Sequence, residues 1–231
     1  MRAAAKWILR NTITSRHHLT PEMSLALITE QCPLWMATPD QCPLPDPYWA
    51  FYWPGGQALT RFILDNGSQF RDKSVLDFGC GCGASTIAAV TAGARTVFCN
   101  DIDNYALLAT ALNCRRNNVL MSTIEFSNEN LLLSEGKITP IPDAILLGDM
   151  FYDTDFAGDI FRLLRRLQLD KPEMDIFVGD PDRHPLNEEV HRKRIGVQFE
   201  RELLIDYPLP GYVTREHYGF SSAKVYRLLF V

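Results

Sequence analysis

One segment carries the main fold signal: Val75-Leu76-Asp77-Phe78-Gly79-Cys80-Gly81-Cys82-Gly83. A short apolar run that leads into glycines and then into a helical pattern predicts a buried strand, a tight turn and a helix. Glycine has no Cβ, so the backbone at Gly79, Gly81 and Gly83 can turn sharply and approach a ligand closely. The segment therefore predicts a ligand-binding turn within an α/β fold.

Strands and helices alternate through the rest of the chain. The apolar patterns predict strands over 74–78, 96–99, 123–126, 144–147 and 175–178, separated by helices over 83–92, 104–117 and 153–167, with a further helix from Pro54 and strand-like runs over 199–205 and 224–230. Alternation of this kind is typical of a parallel sheet covered on both faces. We expect a doubly wound, mostly parallel sheet with helices on both faces.

Acidic residues flank the glycines. Asp101 follows the second predicted strand, 22 residues after Gly79, where a carboxylate can accept both ribose hydroxyls of an adenosine. Asp77 precedes the glycines, where its charge would repel a phosphate and attract an ammonium. Because Gly79–Ala84 also fits the G-x-G-x-x-[GA] dinucleotide pattern, a nicotinamide-dependent oxidoreductase stays an alternative, as does a catalytically silent binding protein.

A second group of residues ends the predicted strand 144–147, in Gly148-Asp149-Met150-Phe151-Tyr152-Asp153. This strand should lie beside the first one, at the switch point where open α/β sheets bind ligands. Asp149 and Tyr152 can then point a carboxylate and a phenol at one small space. The alternative is structural, with Asp149 capping the next helix and Tyr152 packed in the core.

These motifs together resemble those of a known enzyme family. Asp149-Met150-Phe151-Tyr152 matches the D-x-x-[FY] motif of the seven-stranded protein-lysine methyltransferases, and Trp53-Pro54-Gly55-Gly56 is similar to their W-P-G-G segment. With Asp46-Pro47-Tyr48-Trp49-Ala50, the chain most resembles the electron transfer flavoprotein beta-subunit lysine methyltransferases, over roughly residues 33–183. The family typically has Gly-Asp-Pro-Gly-Arg after the fifth strand, whereas this chain has Gly179-Asp180-Pro181-Asp182-Arg183.

The resemblance implies a fold, a reaction and a site. It implies a seven-stranded, Rossmann-like class I methyltransferase that uses S-adenosyl-L-methionine as co-substrate, without a metal, and takes the electron transfer flavoprotein beta subunit as its protein substrate. Another protein or a small molecule is the alternative substrate. Asp149 and Tyr152 become the catalytic candidates, and the roles of Asp180 and Arg183 stay open. The donor-binding candidates are Trp53, Asp77, Gly79, Gly81, Gly83, Asp101 and Asn128.

The amino terminus differs in charge from the rest of the chain. Four of the 23 basic residues and none of the 28 acidic residues lie in 1–21, which leaves a net charge of −9 for 22–231. Arg2, Lys6 and Arg10 recur every four residues and would share one helix face. We expect a mitochondrial transit peptide over 1–21 and a location in the mitochondrial matrix, with a disordered tail on a cytoplasmic protein as the alternative.

We expect residues 22–231 to form one domain. It begins with an irregular lead-in over 22–53 that is rich in proline and aromatic residues, and a catalytic core follows over 54–231. A net charge of −5 for the 231-residue chain argues against a nucleic-acid-binding surface. The sequence has no run of 18 apolar residues, so we do not expect a segment that inserts in a membrane. The six cysteines are too sparse for a disulfide scaffold, and Cys80 and Cys82 lack a second ligand pair at zinc spacing.

Overall fold

The computed structural model describes residues 2–38, 42, 47–133 and 138–230, so Asp46 of the motif above and the lead-in prolines Pro39, Pro43 and Pro45 lie outside it. The strands are β1 (Ile13–Ser15), β2 (Leu25–Leu27), β3 (Ser74–Phe78), β4 (Thr96–Asn100), β5 (Ile124–Ser127), β6 (Ala144–Gly148), β7 (Asp175–Asp180), β8 (Phe199–Pro208) and β9 (Ser222–Phe230). The helices are α1 (Arg2–Asn11), α2 (Pro54–Asp65), α3 (Ala84–Thr91), α4 (Asn104–Arg116), α5 (Thr154–Asp170), α6 (His184–Asn187), α7 (Glu189–Ile195) and α8 (Gly211–Glu216). Short 3-10 helices cover Pro33–Met36, Tyr48–Ala50, Gly67–Gln69 and Met121–Thr123.

Seven strands form one sheet in the order β5-β4-β3-β6-β7-β9-β8. The pairs from β5 through β7 are parallel, and β9 pairs antiparallel with both β7 and β8. The expected mostly parallel, seven-stranded sheet is confirmed. The chain runs outward from β3 to β5 and then returns to β6, so the switch point lies between β3 and β6, where ligands bind in open α/β sheets.

The sheet is buried because its central strands are apolar on both faces. Successive residues of β3 point to opposite sides, so Val75 packs in the cluster under α2 and α3 while Leu76 packs in the cluster under α5. Leu59 and Ile63 of α2 and Phe161 of α5 are fully buried in these two layers. The carboxyl ends of β3, β4, β6 and β7 consequently meet at one edge between the helix layers.

The amino-terminal residues belong to this packed structure. Ile8 of α1 is fully buried against the region of α4, while Arg2, Lys6 and Arg10 are exposed on the opposite face, as the four-residue spacing predicts. The expectation of an irregular lead-in is wrong at β2, because Leu25–Leu27 pairs antiparallel with β1. Two three-residue strands are too short to show a periodic pattern. The transit peptide stays a prediction.

No helix in the described ranges is long and apolar enough to cross a bilayer. Within the same ranges, no three His, Cys, Asp or Glu side chains are grouped in a way that could hold a metal ion.

Candidate active site

The glycine turn connects β3 to α3 in a conformation that glycine favours. Gly79, Gly81 and Gly83 have φ angles of +70°, +53° and +81°. The N–H groups of Gly79 and Cys80 both donate to the carbonyl of Asn100 at 2.9 and 3.0 Å, which ties the turn to the end of β4. All three angles lie in the left-handed region, where a Cβ is strained.

At Gly79 and Gly83, a side chain is also excluded by close packing. A Cβ on Gly79 would lie 2.6 Å from Sδ of Met150, and a Cβ on Gly83 would lie 2.5 Å from Cγ2 of Thr110. Thr110 sits on α4, and its hydroxyl donates to the carbonyl of Gly81 at 3.1 Å. The turn is therefore a fixed backbone cradle at the switch point, held from β4 and α4.

Asp101 and Asp77 place two carboxyl groups beside this cradle. Asp101 accepts the N–H of Gly81 with Oδ2 and the N–H of Asp103 with Oδ1, both at 3.0 Å. Asp77 is buried and accepts the hydroxyl of Thr86 with Oδ2 at 2.6 Å. Burial raises the pKa of both carboxyl groups, that of Asp77 to about 6, and the charge of Asp101 adds to the effect on Asp77.

Asn128 lies further out. It follows β5, is exposed, and donates from Nδ2 to Oδ1 of Asn104 at 3.2 Å. Asn104 begins α4 directly after Asp103, whose carboxylate caps that helix. Asn128 therefore stands at the outer rim of the β4 strand end, on the Asp101 side.

Asp149 is the first residue beyond β6 and is held from three sides. Its φ of +64° is left-handed, a region that aspartate tolerates better than most residues. Its N–H donates to the carbonyl of Gly179 at 2.8 Å, its Oδ2 accepts the N–H of Gly55 at 2.7 Å, and its Oδ1 forms a short ion pair with Nε of Arg183. Burial raises the pKa of Asp149 despite the opposing charge of Arg183. Asp149 does not cap α5, because Asp153 does so.

The turn after β7 supplies Arg183. The N–H of Arg183 donates to Oδ1 of Asp180 at 2.6 Å, and its guanidinium carbon lies 5.5 Å from the ring centre of Phe220. Asp180 is fully buried, and its Oδ2 has no hydrogen-bond partner in the described part of the chain. Burial, reinforced by the charge of Asp149, raises the pKa of Asp180 to about 8.

Aromatic rings line the outer side of the site around Asp149 and Arg183. Trp53 donates from Nε1 to the carbonyl of Tyr48 at 3.0 Å, and its ring centre lies 5.6 Å from those of Phe51 and His217. Burial, together with the charge of Arg183, lowers the pKa of His217 to about 4, so this ring is neutral at pH 7. Tyr152 is 54% exposed and stacks on Phe156, so it does not pack in the core.

Three features of the site were missed by sequence reasoning. Gly55 donates to Asp149 and also packs against β7, since a Cβ on it would lie 2.3 Å from the carbonyl oxygen of Gly179. The link from Arg183 to Asp149 and the position of His217 beside Trp53 were not expected either. Of these three, Gly55 had a signal in the sequence, as the first residue of the glycine pair Gly55-Gly56 at a helix start.

The cradle and its acids fit S-adenosylmethionine. Asp77 and Asp101 have hydrogen-bond donors but no cationic partner in the described residues, which suits a ligand that carries an ammonium and a sulfonium. A pyrophosphate would add negative charge to two carboxyl groups whose pKa values are already raised. The site therefore favours a cationic nucleoside over a dinucleotide.

Comparisons with known proteins also point to a methyltransferase. A family model described as Ribosomal protein L11 methyltransferase matches residues 58–146. The chain is 52% identical over its whole length to the electron transfer flavoprotein beta subunit lysine methyltransferase homolog of Caenorhabditis elegans and covers 98% of that protein. It is 41% identical to the electron transfer flavoprotein beta subunit lysine methyltransferase of Danio rerio, with 96% of this chain and 81% of that protein covered.

A solved structure supports the fold. The N-methyltransferase NodS from Bradyrhizobium japonicum, in complex with S-adenosyl-L-homocysteine, superposes with a TM-score of 0.52 at 14% identity. The match covers 84% of this chain and 93% of that chain. The likeness is therefore one of fold.

Proposed function

Because the chain belongs to the electron transfer flavoprotein beta subunit lysine methyltransferases, we propose that it methylates lysine side chains of the electron transfer flavoprotein beta subunit. It is a class I, S-adenosylmethionine-dependent methyltransferase by family and by fold. The observation that carries the proposal is a buried carboxylate at the carboxyl end of β6, beside a glycine cradle whose two acids have no cationic partner among the described residues. When bound, S-adenosylmethionine supplies an electrophilic methyl group on a sulfonium.

The donor half of the site would act through backbone shape and negative charge. Gly79, Gly81 and Gly83 let the main chain approach the donor, and Asp101 would accept its ribose hydroxyls while holding the turn through Gly81. Asp77 lies under the cradle and would favour the donor's positive charge from below. For Asn128 we propose a contact at the outer rim, and for Trp53 a contact at the boundary between the two halves, since its ring lies by Tyr48 and His217.

The acceptor half would receive and orient the lysine. Asp149 is fixed by Gly55 and Arg183, so its carboxylate keeps one position, and a fixed charge stabilises an incoming ammonium without reorganisation. Tyr152 is exposed at the rim, where its hydroxyl would orient the amine. The aromatic wall around Trp53 offers ring faces to a cation, worth about 0.5–2 kcal/mol for each ring.

A lysine-rich surface suits the charge of this chain. Residues 22–231 have a net charge of −9, and complementary charge raises the rate at which two proteins meet and selects between partners. This supports a protein target with exposed lysines, and the names of the relatives point to which one.

Purified components test the proposal. The chain is incubated with the recombinant flavoprotein beta subunit and S-adenosylmethionine carrying an isotopically labelled methyl group, and lysine methylation is read by mass spectrometry. The matched control is Asp149→Asn, because asparagine keeps the acceptor for Gly55 and tolerates a left-handed φ while removing the charge. We expect transfer by the wild type, about 100-fold slower transfer by the variant, and equal donor affinity by calorimetry. Equal rates would contradict the role of Asp149.

For the location we propose the mitochondrial matrix, supported by the exposed basic face of α1. Charge reversal at Arg2, Lys6 and Arg10 should leave the fold intact, because these side chains are exposed. In cell fractionation, the variant should be found in the cytosolic fraction instead of the mitochondrial one. Reversal of the exposed Arg115 and Arg116 on α4 is the control and should not move it. Retention of the first variant in mitochondria would contradict the proposed signal.

A further inference from the structure

We propose that Asp180 accepts the proton that the substrate lysine loses before it is methylated, an inference that rests on the function proposed above. An ammonium has no free electron pair, so its nitrogen cannot attack carbon until one N–H bond has broken. Since the pKa of a free lysine is about 10.4, few lysines are neutral at pH 7. A proton acceptor beside the amine raises that fraction.

The topology places Asp180 at the right edge of the sheet. Asp180 ends β7, Asp149 follows β6, and these two parallel strands are paired with Gly148 opposite Gly179. The N–H of Asp149 donates to the carbonyl of Gly179 at 2.8 Å. The two carboxyl groups therefore lie at neighbouring strand ends, next to the switch point.

One oxygen of Asp180 is available for a proton. Oδ1 accepts the N–H of Arg183 at 2.6 Å and so holds the turn, whereas Oδ2 is buried without a hydrogen-bond partner in the described ranges. A buried carboxylate oxygen with no partner is costly, and a proton on it removes the charge. Burial and the charge of Asp149 accordingly raise the pKa of Asp180 to about 8.

Charge balance shows how the step proceeds. Arg183 supplies one positive charge to the two carboxyl groups, so the site is neutral when Asp180 carries a proton and Asp149 does not. An entering ammonium is balanced when Asp180 has released its proton to solvent. The N–H bond then breaks, its electron pair stays on nitrogen, and an O–H bond forms on Oδ2 of Asp180. The site is neutral before and after this transfer, which avoids an unpaired buried charge.

Two titratable side chains around this turn, Tyr226 and His217, do not change charge in the same interval. Asp182 forms an ion pair with Lys224 and accepts the hydroxyl of Tyr226, whose own pKa is raised above its ordinary value of 10.0 by burial and by Asp182. Burial lowers the pKa of His217 to about 4. A kinetic pKa near 8 therefore belongs to the pair of Asp149 and Asp180 with Arg183.

The test is the pH dependence of kcat/KM for Asp180→Asn, with the purified flavoprotein beta subunit as substrate. Asparagine keeps the acceptor for the N–H of Arg183 and so keeps the turn, but it cannot take a proton. For the wild type, we expect kcat/KM to rise with pH and level off at about pH 8. For the variant, we expect a value about 100-fold lower at neutral pH and a rise that continues toward the pKa of free lysine, about 10.4.

Asp159→Asn is the matched control, since it is the same substitution on an exposed side chain of α5 that pairs with Arg162 and is not among the charges that act on Asp180. It should keep the wild-type pH profile. A wild-type-like profile for Asp180→Asn, or a loss of activity by the same factor at every pH, would overturn the proton step alone. Failure of the wild type to methylate the subunit would overturn the proposed substrate, and the proton step with it.

Discussion

Replacement of Asp180 by asparagine should change how the stability of the protein depends on pH, even without donor or substrate. The side chain is fully buried and its pKa is raised from the ordinary 3.8 to about 8. Between these two pH values the folded protein holds a proton that the unfolded chain has released. The wild type therefore loses stability as pH rises through this interval, whereas asparagine holds no titratable proton there.

The expected size follows from the two pKa values. Each pH unit between them corresponds to about 1.4 kcal/mol, so the full interval from 3.8 to about 8 gives an upper value of about 6 kcal/mol. From pH 5 to pH 8 the variant should gain about 4 kcal/mol of unfolding free energy relative to the wild type. Because Asp149 and Asp180 are close, the measured difference reports the proton held by the pair.

Urea unfolding at several pH values measures this difference directly. Both proteins share every other titrating group, so most of the remaining pH dependence cancels between them. Asp159→Asn serves as the control and should follow the wild type, because Asp159 is exposed on α5, pairs with Arg162 and is not among the charges that act on Asp180. A difference between Asp180→Asn and wild type that stays constant within about 0.5 kcal/mol from pH 5 to pH 8 would refute the reasoning.

Three further predictions concern single positions. Asp101→Ala should weaken donor binding in calorimetry about 10-fold or more, because it removes the acceptor for the N–H of Gly81 as well as the ribose contact; unchanged affinity would contradict that role. Gly55→Ala should lower the free energy of unfolding by about 2–3 kcal/mol, because its Cβ would lie 2.3 Å from the carbonyl oxygen of Gly179, whereas Gly56→Ala has room and should be neutral; equal effects would show that the contact relaxes. Tyr152→Phe should slow methyl transfer while changing stability by less than about 0.5 kcal/mol, since the ring is half exposed; an unchanged rate would remove the hydroxyl from the mechanism.

The strand and helix pattern of the central sheet could be predicted because its signals are local. The segment around Val75 and the alternation after it placed β3, α3, β4 and α4 within about a residue or two of their observed bounds, close to the usual uncertainty of helix ends. The pairing of β1 with β2 was missed, since three residues are too few for a period. Ile8 was not recognised as a core residue, because a basic segment with one buried side chain resembles a surface helix.

The contacts within the site could not be predicted in the same way. Gly55 is 94 residues from Asp149, and Arg183 is 34 residues from it, so no local pattern joins them. The sequence placed Asp149 and Asp180 at strand ends, but burial decides their charge, and burial depends on the helices packed above them. That Oδ2 of Asp180 has no hydrogen-bond partner among the residues the structure describes is a feature of the folded protein alone.

Quantitative mass spectrometry of cells with and without this gene tests the central claim most directly, with methyl-lysine measured site by site on the electron transfer flavoprotein beta subunit. The account predicts that methyl-lysine on this subunit disappears with the gene, returns when the wild type is expressed again, and does not return with Asp149→Asn. Unchanged methylation of the subunit in cells that lack the gene would contradict the account.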